Sequence, residues 1–322
     1  MKLQKEYIIL TAVIFVLGVI LIISTGRNKM SYELPKLDEV ESDSINIIEI
    51  NTPDESILLE RNQDEWLLMP NKFTADSDKV NDMMEIIQNL TLTELVSDKK
   101  NYNRYELDPE NRIHIKAFRD EKVIREFYIG KVSSTYSHTY IRLAENPHVF
   151  HARDSFRSTF DQEGSELRDK SVMKFSQEEI TGLILRGEFG SFEFKKELVQ
   201  KKPDIKEKEE KEGKDISPRE EEIWVTQEGK KADKSEMNSL LSKLSSLNCD
   251  SYLEEKENLN DPVYTIIAKG ATDYKLDIYQ KREEDKYPAY SSENDYPFLL
   301  TKYTAESLMK KPEDIFKKEN EE

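Results

Sequence analysis

The residues of this chain that could do chemistry are few, and their spacing matches no complete catalytic or metal-binding set. The histidines are His114, His138, His148 and His151. His148-x-x-His151 has the look of a ligand pair, but residues three apart on a strand point to opposite faces. No HExxH motif or cysteine partner completes a metal set. Asp76-Ser-Asp78-x-x-Asn81-Asp82 opens like a calcium loop, yet it lacks the glycine at position six and the glutamate at position twelve. The cysteine, Cys249, has no second thiol in the chain, which excludes an intrachain disulfide and any CxxC site. It follows a stretch of helical pattern, Met237–Leu247, where a small buried thiol is the expected role. Gly187-x-x-Gly190 is too short for a dinucleotide fingerprint, and GxxxxGK[ST] and GxSxG are absent. Asp and Glu are plentiful enough to supply a pair for glycoside hydrolysis, but nothing places two of them in an aromatic cleft. The reading singles out no catalytic, cofactor-binding or metal residue, and expects a protein that is not an enzyme.

What positions these residues follows from composition and pattern. The chain has 322 residues, with 35% charged and 37% hydrophobic, 15 Tyr and 13 Phe among them. That is polar, but there are enough aromatics for real cores and length for two ordinary domains. A net charge of −17 repels phosphate backbones, so nucleic acid is excluded as a partner.

Tyr7 to Gly26 (YIILTAVIFVLGVILIISTG) is an uncharged run of twenty residues. As a helix it spans about 30 Å, the thickness of the hydrocarbon core. It is longer than the apolar stretch of a cleaved signal peptide, and no small-x-small site follows it. An uncleaved anchor with a cytoplasmic N-terminus is expected, because a short tail precedes a long domain. Residues 1–30 carry four basic and one acidic side chain, so the rest of the chain carries −20. Such a domain is repelled by an anionic bilayer surface unless it is tethered there.

The body of the chain repeats itself. Ile45–Ile50 (INIIEI) and Ser56–Arg61 (SILLER) match Ile180–Leu185 (ITGLIL) and Ser191–Lys196 (SFEFKK) at one offset of 135. Trp66 then matches Trp224 at an offset of 158, the jump coinciding with the charged run Val199–Glu222, which reads as an inserted disordered loop. Ala75-Asp76 and Ala232-Asp233 each open a helix with Asp as N-cap. Met83, Met84, Ile87 and Leu90 align with Leu240, Leu241, Leu244 and Leu247 as one apolar stripe. Leu107-Asp108-Pro109 and Asn260-Asp261-Pro262 are turns before strands Arg112–Phe118 and Val123–Ile129, then Tyr264–Lys269 and Lys275–Gln280. Short helices are expected at Asp154–Phe160 and Thr304–Met309, and both Trp residues in the cores beside the helix stripes.

The expected fold class is α+β: one N-terminal transmembrane helix, then two similar modules, each a mainly antiparallel sheet with one long and one short helix. The expected organisation is tail and anchor 1–30, linker 31–44, first repeat 45–167, second repeat 168–310 with its insertion near 199–222, and charged tail 311–322.

Trp66-Leu-Leu-Met-Pro, Ala75-Asp-x-x-Lys-Val80, Tyr105-Glu-Leu-Asp-Pro109, Tyr128-Ile-Gly130, Thr139-Tyr-Ile-Arg142 and Leu167–Phe175 (LRDKSVMKF) together carry a resemblance. They resemble the bacterial family catalogued as domain of unknown function 4340. The match is good over Ile45 to Phe175 and weaker beyond. The chain departs at Glu106, where the family commonly has glycine. The resemblance implies one N-terminal membrane helix and genes beside ABC-type export or gliding-motility transport components. It supplies no catalytic residues. The expected function is a membrane-anchored extracytoplasmic component that binds an envelope or transporter protein, through strand edges or loops such as Lys131–Ser137. The competing expectation is a membrane-tethered enzyme or ligand-binding receptor acting on an envelope polymer.

Overall fold

The computed structural model describes residues 13–19, 32–41, 44–201, 219–253, 259–282 and 285–316. The chain divides into two compact units, Met1–Glu163 and Gly164–Glu322. Both are α+β, and their strand pairings are antiparallel.

The first unit is a nine-stranded sheet. Its strands are β1 (Ile47–Asn51), β2 (Ser56–Asn62), β3 (Glu65–Met69), β4 (Phe73–Thr74), β5 (Leu92–Ser97), β6 (Ile113–Arg119), β7 (Lys122–Val132), β8 (His138–Leu143) and β9 (Val149–Arg153). In space they run β4-β3-β2-β1-β6-β7-β8-β9-β5. Alternate residues go to opposite faces. One face buries Ile48, Ile50, Ile115, Phe127, Ile129, Ile141 and Phe150. Helix α1 (Ser77–Asn89) contributes Val80, Met83, Met84 and Ile87 to the core, the i, i+3, i+4, i+7 stripe of an amphipathic helix. Asp76 caps it, accepting from the amides of Asp78 at 3.0 Å and Lys79 at 3.2 Å. A single turn, α2 (Arg157–Phe160), buries Phe160 beside β7 and α1.

The second unit holds β10 (Ser171–Lys174), β11 (Gly182–Gly187), β12 (Gly190–Lys201), β13 (Arg219–Thr226), helix α3 (Lys234–Leu244), β14 (Ser246–Asn248), β15 (Ser251–Tyr252), β16 (Tyr264–Lys269), β17 (Tyr274–Ile278), β18 (Lys286–Ser291), β19 (Phe298–Thr301), α4 (Lys302–Leu308) and α5 (Pro312–Ile315). Its large sheet runs β13-β12-β11-β16-β17-β18-β19-β15. Matched strand for strand, this is the order of the first sheet without its short β4 edge. Asp233 caps α3 as Asp76 caps α1, bonding Ser235 N at 2.8 Å and Glu236 N at 3.3 Å. In both units the residue before the cap donates its amide to a tryptophan carbonyl: Ala75 to Trp66 at 2.8 Å, Ala232 to Trp224 at 2.9 Å. Both Trp side chains are buried.

Three expectations from the sequence change. The helical pattern Met237–Leu247 ends at Leu244, and Leu247 instead pairs with Met173 across the β10–β14 ribbon, still buried. The charged run Val199–Glu222 is not all loop: 199–201 extend β12 and 219–222 open β13, while 202–218 lie outside the described residues. Backbone pairing extends this hairpin although its side chains there are mostly charged, and Lys196 Nζ reaches Glu222 across the ladder at 3.4 Å. Finally, the segment read as a linker packs on the first unit. Arg125 donates from Nη2 to the carbonyl of Asp38 at 2.7 Å, and Tyr32 Oη lies 3.1 Å from His148 Nδ1.

Of the apolar run Tyr7–Gly26, residues 13–19 are helical and the rest lie outside the described residues. Among the described residues no helix is long and apolar enough to cross a membrane.

Candidate functional site

The face of the first sheet that carries no helix stripe holds a set of half-buried polar and aromatic side chains in three cross-strand rows. Register creates the rows. Glu49, Lys116 and Glu126 lie opposite one another on β1, β6 and β7. His114, Tyr128 and Arg142 do so on β6, β7 and β8. Tyr140, His151 and Glu94 do so on β8, β9 and β5.

Directly opposed side chains on one face are close enough to interact. His114 stacks on Tyr128 with ring centroids 4.3 Å apart, and its Nε2 lies 2.8 Å from Glu126 Oε1. The Arg142 guanidinium sits 4.0 Å from the Tyr128 centroid and 5.3 Å from that of Tyr102, and Arg112 sits 4.3 Å from Tyr128. Tyr140 packs against His151 at 4.7 Å, and His151 stacks on His138 at 5.1 Å. Burial is the main cause that lowers the pKa of His114, outweighing Glu126. Burial, then the charge of His138, lowers that of His151 against the pull of Glu94. Among the described residues, Arg142 Nε and His151 Nε2 on this face, and Arg125 Nε on the other, are buried without a hydrogen-bond partner. Such atoms are costly to leave unmade.

A loop lies across this face and explains the stretches that carry the family resemblance. Tyr102–Tyr105 form one 3-10 turn, ended by Glu106 in the left-handed region at φ 54°. Tyr105, Leu107 and Val149 then make a small buried cluster against Tyr102, Tyr128, Tyr140 and Val96. Gly130 lies beneath: a β-carbon there would run into the Tyr105 carbonyl oxygen and stand 2.9 Å from Leu107 Cγ. Tyr105–Pro109, Tyr128–Gly130 and Thr139–Arg142 thus meet in one place. Glycine takes φ > 0 without the β-carbon penalty that Glu106 bears here.

The other residues considered from sequence fall elsewhere. His148 precedes β9 and turns to Tyr32, while His151 lies 3.5 Å from Glu94, so the two share no ligand position. Asp76 is a cap. Gly187 and Gly190 face each other at the β11–β12 turn, where Gly190 takes φ 94°. Cys249 is buried, and burial pushes its thiol pKa up to about 11, far from the range of a reactive thiolate. Among the described residues no group of three or more His, Cys, Asp or Glu is disposed to hold a metal ion. In Lys131–Ser137 the hydroxyls of Ser133, Thr135 and Ser137 bond to one another in a chain, and the Tyr136 ring stands outward, 78% exposed. The sheet face is not legible in the sequence because its members are spread over six strands and a loop. The available signal was the half-polar alternation of β6 to β9.

Two hollows of about 540 Å³ also open on the first unit. Both are lined by Arg125 and by Leu37 and Asp38, one reaching the C-terminal turn of α1 and the other the start of β7 and the β8–β9 turn.

Fold and face together define an antiparallel α+β sheet protein with an aromatic surface of mixed charge on its first unit. The chain belongs to the family described as a domain of unknown function, DUF4340, whose model matches residues 66–262. No curated protein and no solved structure matches it.

Proposed function

We propose that this chain is a membrane-anchored, extracytoplasmic module that binds another protein, auxiliary to an ABC-type transporter or to other envelope machinery. The observation that carries the reading is the Tyr128–Tyr140 face. Tyr and Arg are the residues enriched at the energetic centres of protein interfaces, because they give large contact area with a polar tip. Here they are held by register and by the Tyr102–Asp108 loop, so little side-chain entropy is left to lose on docking. The two units, alike in strand order, are read as a duplication of one module.

The anchor is read from residues 7–26. In the helical part, Val13, Ile14, Phe15, Val16 and Leu17 are all exposed, and nothing lies within 4 Å of a β-carbon built on Gly18. A helix that is apolar all round, with no cover among the described residues, suits a bilayer. The N-terminus would then be cytoplasmic and residues 31–322 outside.

A photo-crosslinking amino acid in place of Tyr140, used in intact cells, should capture a membrane protein. The same group in place of Tyr303, 81% exposed on the second unit, should not. Equal capture at both, or none at Tyr140, defeats the reading. Protease added to spheroplasts should digest the domain, and protection alongside an intact cytoplasmic control reverses the orientation.

A second reading, a ligand-binding receptor, is favoured by the hollows around Arg125, whose volume falls in the range of small-ligand sites. Saturable binding of a soluble envelope fragment, lost in Arg125→Gln, would support it over the first.

A further inference from the structure

We propose that Arg112 and Arg142, both stacked on Tyr128, receive carboxylates, and that the partner docks on this face through an acidic protein segment. This rests on the reading of the face as a protein-binding surface and names the chemistry of its partner.

The charge pairing of the face supports it. Lys116 is ion-paired with Glu49 at 3.6 Å, while Glu126 and Glu94 lie against the rings of His114 at 2.8 Å and His151 at 3.5 Å. Among the described residues, Arg112 and Arg142 make no ion pair and lie instead over Tyr128 at 4.3 Å and 4.0 Å. Asp108, on the covering loop, spends one carboxylate oxygen on Asn111 Nδ2 at 2.7 Å and pairs with neither arginine. Arg142 Nε is buried and unpartnered, so a carboxylate arriving from outside would be taken by the Nη1–Nη2 edge of this guanidinium. Stacking fixes the plane of a guanidinium and leaves its N–H edges to take a carboxylate in bidentate fashion.

The rest of the chain selects the class of occupant. With a net charge of −17, the protein repels extended anionic surfaces such as bilayers and nucleic acid. A short acidic segment needs to place only one or two carboxylates, on the two guanidiniums, and so meets far less of that field. Like-charge repulsion elsewhere would orient it.

The test uses the full chain in nanodiscs of zwitterionic lipid. A fluorescein-labelled peptide with four glutamates spaced by glycine is titrated and read by anisotropy, beside its glutamine counterpart. The glutamate peptide should bind and the glutamine peptide should not. Arg142→Gln and Arg112→Gln should each weaken binding by roughly ten-fold, and Arg142→Lys, which keeps the charge but loses the fork, should also fall measurably. Circular dichroism checks folding; were Arg142→Gln to unfold, Arg112→Gln and Arg142→Lys carry the comparison. Equal binding of the glutamine peptide, insensitivity to the arginine variants, or displacement by inorganic phosphate at the same concentration as peptide overturns the proposal. Crosslinking from Tyr140 separates the two claims. Capture that persists unchanged in Arg142→Gln sinks the carboxylate chemistry alone, whereas no capture by the otherwise unsubstituted chain sinks the binding face itself.

Discussion

The carbonyl oxygen of Tyr105 occupies the space that a β-carbon on Gly130 would need, and Leu107 closes the same space from the side. The loop that frames the candidate face therefore rests on the one residue type that lets backbone approach β7 so closely. Gly130→Ala should push the loop off the sheet and lose the Tyr105–Leu107–Val149 cluster, costing about 2–4 kcal/mol, within the range for overpacking combined with lost burial. Urea unfolding of the detergent-solubilised chain checks this, with a change below about 0.5 kcal/mol counting against it.

Glu106 ends the same loop in a left-handed conformation at φ 54°. A left-handed L-residue costs about 1–2 kcal/mol, and glycine gives back part of that as unfolded-state entropy. Glu106→Gly should raise stability by about 0.5–1 kcal/mol, while Glu106→Val, β-branched, should lower it. If the glycine variant is the less stable of the three, the strain argument fails.

Asp76 and Asp233 do the same work in different units. Each accepts two first-turn amides, so Asp76→Ala and Asp233→Ala should each cost about 1 kcal/mol. Hydrogen exchange resolves them. Asp76→Ala should speed exchange at Asp78 and Lys79 and leave Ser235 and Glu236 unchanged, with the converse for Asp233→Ala. Acceleration in both units from one substitution would contradict two separate caps.

His114 and His151 have folded-state pKa values below the ordinary value of about 6.5, chiefly because burial disfavours the charged ring. The unfolded chain then takes up these protons first as pH falls. Their contribution to stability is full above about pH 6.5 and is lost as pH drops through that value towards the folded-state pKa. Glu126 beside His114, and Glu94 and His138 beside His151, stay in place in His114→Gln and His151→Gln. Each variant should lose less stability than the parent between pH 7.5 and pH 5 in urea titrations. A steeper loss in the variants would reverse the sign.

The sequence by itself determines what neighbouring residues decide among themselves. Alternation of apolar residues marks strands, and Arg112–Phe118 falls within one residue of β6 because a strand that buries Ile113, Ile115 and Ala117 on one face writes its period of two directly. Asp76 and Asp233 announce helix starts because a cap bonds amides two and three residues on. The α+β class follows from those local signals. Only tertiary structure decides which residues stand side by side. Nothing local tells that His114, Tyr128 and Arg142 form a row, since register depends on hairpin geometry and on which face is buried. The seating of Tyr105 on Gly130 and the pinning of Asp38 by Arg125 join residues 25 and 87 positions apart, and their cause is packing. The end of α3 at Leu244 is of the same kind: the apolar spacing continues to Leu247, but an available strand partner at Met173 draws the chain out of the helix.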